Sequence, residues 1–363
     1  MKKLLKILLV GAALFSGNAW ATESEKVGVI FGSFGDVDEP KSELRDLVRL
    51  TLTDPDVLPL HPWITGWIAD LGWYIERSGL LAEYEAIGGK SGMRQRSQEQ
   101  AEAVAARLRQ DGLNAVGYAG FTMTFPFVSE ALDKARKDGV TKLIIIYQGA
   151  QYSKVTAQIV FRHVREYLKA HPKWQVVATG LRSFTDDQRF IALIKSQLNE
   201  GIRSEFDGIS EGDVCVFLPL HGLVDRLVRE GDPYVPQVMR IVDELKDTYG
   251  ADRVFYGYQN HDEIPFVGWT QPTTDKALSL VAAADCRGVL INGGVSFTVD
   301  SLETLYDHRI DEPARLAEEA RRLGKAEPKI VVQPMFNSDP EFVELMATKV
   351  REALTGQGDL EAL

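Results

Sequence analysis

The sequence predicts an α/β fold in which parallel strands alternate with amphipathic helices, arranged as two similar halves. Three observations carry this. Six short apolar runs, each near a turn residue, recur along the 363 residues. Amphipathic segments separate them. The runs of one half have counterparts in the other.

The first run is Val27-Gly28-Val29-Ile30-Phe31, ended by Gly32 and Gly35. The second, residues 143–147, is ended by Gly149, and the third, 214–218, by Pro219 and Gly222. Residues 253–258, 288–292 and 329–332 complete the set. Continuous apolar runs bounded by turn residues suit strands buried on both faces. Between them, residues 98–109, 127–137, 155–168, 235–249 and 313–323 place apolar side chains on one helical face and charges on the other. This alternation implies βαβ units and a parallel, doubly wound sheet. In such sheets ligands bind beyond the carboxyl ends of the strands. The internal echo pairs the runs ending at Gly35 and Gln151 with those ending at Gly222 and Val295. A boundary near 181–187 then divides 22–185 from 186–363, with a terminal helix free to pack back on the first domain.

Ahead of the first run, Lys2, Lys3 and Lys6 precede an apolar stretch at 7–15 and then Ala19-Trp20-Ala21. A basic start, a short apolar region and an Ala-x-Ala site are the pattern of a cleaved secretory signal, residues 1–21. The stretch is shorter than the roughly 20 residues of a membrane span, and no later segment is long and apolar enough to make one, so a periplasmic or secreted protein without a span is expected after its removal. A net charge of −11 argues against nucleic-acid partners. Cys215 and Cys286 each stand at or near the start of an apolar run, where cysteine serves as a small buried apolar residue. Export would permit a disulfide, which spacing alone does not establish.

His221 directly follows the third run and precedes Gly222. An imidazole is thereby expected at a strand's carboxyl end, where it can act as a base or a metal ligand. Glu303, Asp307 and Asp311 are spaced by four. On a helix this stacks three carboxylates along nearly one face. Such a line can relay protons or attract a hydrated divalent cation, or it can be a solvated acidic face. His308 could join it or be exposed. No Gly-x-Gly-x-x-Gly, P-loop or nucleophile-elbow pattern is present.

These segments, in this order, resemble the ferrochelatases. Residues 27–40 (VGVIFGSFGDVDEP) look like that family's opening strand and porphyrin-side loop. Asp54-Pro55, Gly88-Gly89-Lys90-Ser91 and Gln151-Tyr152-Ser153 resemble later motifs. His221-Gly222-Leu223, Gly231-Asp232-Pro233-Tyr234, Tyr258-Gln259, Asp300 to Tyr306 (DSLETLY) and Asn337-Ser338-Asp339-Pro340 are the strongest matches. The resemblance implies two Rossmann-like domains, each a parallel sheet flanked by helices, with a cleft between them. It implies a chelatase that inserts a divalent metal, ferrous iron first, into a porphyrin without a further cofactor. His221 and Glu303 match the catalytic pair, and Asp307 and Asp311 fall on the family's acidic path to the metal, along an irregular helix. Phe34, Phe121, Met123, Phe125, Tyr152 and Ser153 fall where the family meets the porphyrin.

Some residues depart from the family's pattern. Its Gly-Met-Arg-Tyr-Trp-His-Pro-Phe loop is here Gly120 to Phe127 (GFTMTFPF), without the arginine and histidine. Its Gly-Thr-Pro is Gly35-Asp36-Val37, and Val224 follows His221-Gly222-Leu223 in place of proline. An exported relative with an altered loop leaves open a chelatase for another metal or tetrapyrrole, cobalt or zinc included, a haem dechelatase, or a non-catalytic haem or porphyrin carrier, and with any of these a haem uptake or transfer partner.

Overall fold

The computed structural model describes residues 25–259 and 268–363. The expected leader, 1–21, and His261 lie outside them.

Among the described residues the strands are β1 (Val27–Ser33), β2 (Ala115–Phe121), β3 (Lys142–Tyr147), β4 (Val177–Ser183), β5 (Val214–His221), β6 (Val254–Gln259), β7 (Gly288–Ile291), β8 (Lys329–Val332) and β9 (Asp359–Ala362). They form two sheets, ordered β2-β1-β3-β4-β9 and β6-β5-β7-β8. Pairing is parallel except between β4 and β9. The expectation of purely parallel sheets is corrected there. Asp359–Ala362, from the far end of the chain, returns as a short antiparallel edge on the first sheet.

The helices are α1 (Pro40–Thr53), α2 (Pro62–Ala86), α3 (Met93–Gln110), α4 (Val128–Lys137), α5 (Ala157–Ala170), α6 (Gln188–Glu205), α7 (Asp225–Arg229), α8 (Tyr234–Tyr249), α9 (Thr274–Ala283), α10 (Leu302–Leu305), α11 (Glu312–Arg322) and α12 (Pro340–Leu354). None is long and apolar enough to cross a membrane. The first sheet is sandwiched between α3, packed on β2, and α4 with α5 on the other face. α12 packs against α3 and α6, so it bridges the two sheets' helical layers. Its Lys349 ammonium meets the Asp187 carboxylate at 3.1 Å, and Asp187 caps the start of α6 by accepting the Arg189 N–H.

Two strands have glycines where a helix presses on the sheet. A Cβ on Gly117 of β2 would lie 2.2 Å from the Ala101 carbonyl oxygen of α3. One on Gly180 of β4 would lie 2.7 Å from the Phe161 ring of α5. Both glycines let backbone and helix approach closely.

Cys215 and Cys286 form a disulfide, with Cα atoms 5.8 Å apart. This corrects the reading of two separate apolar residues. Cys215 pairs with Val289 across β5 and β7, and Cys286 lies just before β7, so strand pairing itself brings the two sulfurs into reach.

Candidate active site

The carboxyl ends of both sheets meet at one junction. His221 is the last residue of β5 and sits in register with Gln259, the last of β6. Gly222 follows because a Cβ there would strike the Gln259 carbonyl oxygen at 2.2 Å. The turn delivers the imidazole with its side chain 44% exposed. Nδ1 lies 2.7 Å from the Gly222 carbonyl oxygen, which can only accept, so Nδ1 carries the ring proton. Nε2 is 3.5 Å from Glu303 Oε1. Two further contacts hold this strand end. The Tyr234 hydroxyl donates to the His221 carbonyl at 2.9 Å, and the ring of Phe297 lies 6.4 Å from the imidazole.

Glu303 is placed from both sides. From β6, the Gln259 amide donates to Glu303 Oε2 at 3.1 Å. From the loop after β1, the Asp36 carboxylate accepts the N–H of Leu302 at 2.8 Å and the hydroxyl of the buried Tyr84. Asp36 and Gln259 each matter here, yet their function was not legible. Asp36 stood out only as a departure from the family's threonine.

The three carboxylates do not follow one α-helix. α10 ends after four residues, and Asp307–Asp311 form a π turn before α11. The Asp311 N–H reaches back to the Tyr306 carbonyl, five residues earlier, at 3.0 Å. The wide turn keeps the period of four in register. Glu303, Asp307 and Asp311 are half-buried, while Thr304, His308 and Glu312 form a fully buried line behind them. The reading of one α-helical face is thus corrected to a π-turn ledge. Burial pushes the Asp311 carboxyl up. It does the same to Glu83 of α2, with Asp311 and Glu76 adding repulsion. Glu312 is raised well above the usual range by burial, then by Asp307 and Asp311, and its two oxygens have no hydrogen-bond partner among the described residues. Both causes favour its neutral form. Among the described residues no three His, Cys, Asp or Glu groups converge closely enough to cage a metal ion. Among the described residues His221 and Glu303 form a close pair, and further along the ledge Arg315 donates to the Asp311 carboxylate at 2.8 Å.

The residues matched to porphyrin contact divide. Phe125 is 57% exposed and Phe34 is half-buried, so both offer surface. Phe121 and Met123 are buried, Phe121 in a cluster with Met93, Ala119 and Val299. Met123 offers no exposed sulfur. Tyr152 and Ser153 are also buried and join the two halves. The Ser153 hydroxyl donates to Asp232 at 2.8 Å, and the Tyr152 N–H to the Gln237 side chain at 2.9 Å. Asp232 also accepts the Tyr234 N–H at 3.0 Å, so Ser153 braces the turn that supports His221.

The architecture is that of the chelatases. The structure of SirB from Bacillus subtilis with Fe3+ superposes with a TM-score of 0.52 at 12% identity, over 92% of this chain and 99% of that one. Sequence carries the assignment further. The family model for ferrochelatase matches residues 26–354. The ferrochelatase of Geobacter metallireducens is 30% identical over 335 residues, covering 91% of this chain and 99% of its own. That of Aquifex aeolicus is 26% identical over 90% of this chain and 99% of its own. The chain belongs to the ferrochelatase family, and its reaction is insertion of a metal ion into a porphyrin.

Proposed function

We propose that this chain inserts ferrous iron into protoporphyrin outside the cytoplasm, with His221 as the base and Glu303 as its partner. The observation that carries the roles is the pair itself. Insertion exchanges two pyrrole N–H protons for one dication, so a proton acceptor must face the macrocycle. His221 holds a proton at Nδ1, so Nε2, on the side of Glu303, is the ring nitrogen that exchanges protons. One pyrrole proton taken there forms an imidazolium whose N–H points toward Glu303 Oε1, so the charge that develops meets a carboxylate, and the second pyrrole proton passes to that carboxylate and on to solvent. Asp307 and Asp311 supply oxygen donors in sequence along the ledge. Spaced donors exchange for the ion's water without caging it. Phe34 and Phe125 supply apolar surface for the ring.

Export rests on the signal pattern of residues 1–21 and gains support from the Cys215–Cys286 disulfide. Structural disulfides persist in oxidising compartments and are rare in reducing ones.

Anaerobic absorbance spectroscopy tests the reading. Protoporphyrin is mixed with the protein and ferrous, cobaltous or zinc ions, and haem is mixed with it alone. Growth of iron-porphyrin bands, lost in His221→Ala, is the expected result. Turnover with cobalt or zinc alone would change the metal, and loss of haem bands with release of free porphyrin would reverse the direction. Stable bound spectra without turnover would make the protein a carrier.

A further inference from the structure

His308 lies on the buried line behind the carboxylate ledge, next to Asp307 in sequence, and is fully enclosed. Nothing in the chemistry of metal insertion calls for an imidazole there. Its surroundings are nevertheless shaped to it. A Cβ on Gly293 would lie 2.6 Å from His308 Cε1 and 2.7 Å from Nδ1, so the ring occupies a slot that only glycine leaves open. Phe297 closes the slot edge-on, with ring centroids 5.3 Å apart. The side-chain amide of Gln259 faces the remaining edge, its Oε1 3.0 Å from His308 Nε2.

Donor and acceptor roles along this chain follow from one fact. Nδ1 of His308 is buried with no hydrogen-bond partner. A proton there would be an orphaned buried donor, so the ring carries its single proton on Nε2. Nε2–H therefore donates to Gln259 Oε1. That contact fixes which way the amide lies, leaving its NH2 to donate to Glu303 Oε2 at 3.1 Å. With the amide reversed, an oxygen would face the carboxylate and an NH2 would face the imidazole N–H, two repulsive contacts in place of two hydrogen bonds.

We propose that His308 is a positioning residue for Glu303, acting through Gln259. The imidazole sets the direction of the Gln259 amide, and the amide holds one carboxylate oxygen so that the other stays opposite His221. This rests on the role of Glu303 proposed above.

Steady-state kinetics with porphyrin and zinc or ferrous ion tests it. His308→Leu keeps the volume and removes the donor. It should lower kcat by about tenfold or more with little change in KM for porphyrin, because a misplaced catalytic group costs rate rather than binding. His308→Gln keeps an N–H at similar reach and should recover most of that loss. In the double variant with Gln259→Leu, His308→Leu should add nothing. Wild-type kcat in His308→Leu, no recovery in His308→Gln, or losses that multiply in the double variant would each overturn the proposal. Should His308→Leu fail to fold, Gly293→Ala fills the slot while leaving the imidazole. It should show the same fall in kcat, and a wild-type kcat there would count against the idea. Glu303→Gln separates this proposal from the one beneath it. Full activity in Glu303→Gln removes the role of Glu303 itself, whereas loss there with none in His308→Leu removes only the positioning.

Discussion

Asp36, in the loop after the first strand, accepts the backbone N–H of Leu302, 266 residues later, at 2.8 Å. The same carboxylate accepts the Tyr84 hydroxyl and the Val37 N–H. One side chain from the first sheet thus fixes the start of the short helix that carries Glu303. Asp36→Ala would leave the Leu302 N–H and a buried phenol unpaired. We expect a loss of about 2 kcal/mol in unfolding free energy, read from urea titration, together with reduced kcat. An unchanged urea midpoint would mean that water replaces the carboxylate without cost.

His221→Ala should abolish metal insertion, by a factor of about 100 or more for loss of a general base, while leaving the far-ultraviolet spectrum and melting behaviour near those of the parent. The side chain is 44% exposed, so its removal opens no large cavity. Retained turnover would remove His221 from the mechanism.

Removing the disulfide tests what it contributes to the second sheet. Cys215 and Cys286 are 71 residues apart. Closing a loop of that size restricts the unfolded chain by about 4 kcal/mol in the chain-entropy model. The paired substitution Cys215→Ala with Cys286→Ala should lower stability by up to that amount, measured by denaturant unfolding. The same variant under reducing conditions should match the reduced parent. A double variant as stable as the oxidised parent would show that strand pairing alone holds this edge.

Acid should loosen the docking of α12. Burial would push the Asp187 carboxyl up, but Arg189 and Lys349 hold it well below the usual carboxylate range. A depressed folded-state pKa contributes stability that is present above the unfolded value of 3.8 and is lost as pH falls below it. Asp187→Asn should be less stable than the parent at neutral pH, and the difference should shrink as pH drops below about 4. Parallel stability curves across that range would assign the acid limb to other carboxylates.

The readability of the sequence followed the physics of each segment. All six apolar runs became strands because burial on both faces demands continuous apolar residues. β2 and β4 went unread because Gly117, Gly120 and Gly180 interrupt them where helices press on the sheet. β9 went unread because a four-residue edge with two acids carries no apolar signal. In the site, His221 was legible from its place after a strand, and the carboxylate ledge from its spacing. The π turn was foreshadowed only by the irregular helix that the resemblance implied, since a period of four fits both helix types over so short a span. Gln259 was read only as part of a motif and His308 only as a possible addition to the carboxylate line; their pairing escaped because adjacency across 49 residues is a property of the folded chain.

The return of Asp359–Ala362 to β4 has a bearing on how the molecule is made. A strand completed at Ser183 waits for its neighbour until about 175 further residues have been synthesised and the whole second sheet lies between them. Until then one edge of the first sheet stands open, a template for unwanted pairing. Contacts this distant in sequence form late and slowly. The second sheet is a local assembly by comparison, free to form around β5 to β8 while the first remains unfinished. The order of assembly is then written into the topology: the half whose strands begin the chain is the last to be sealed.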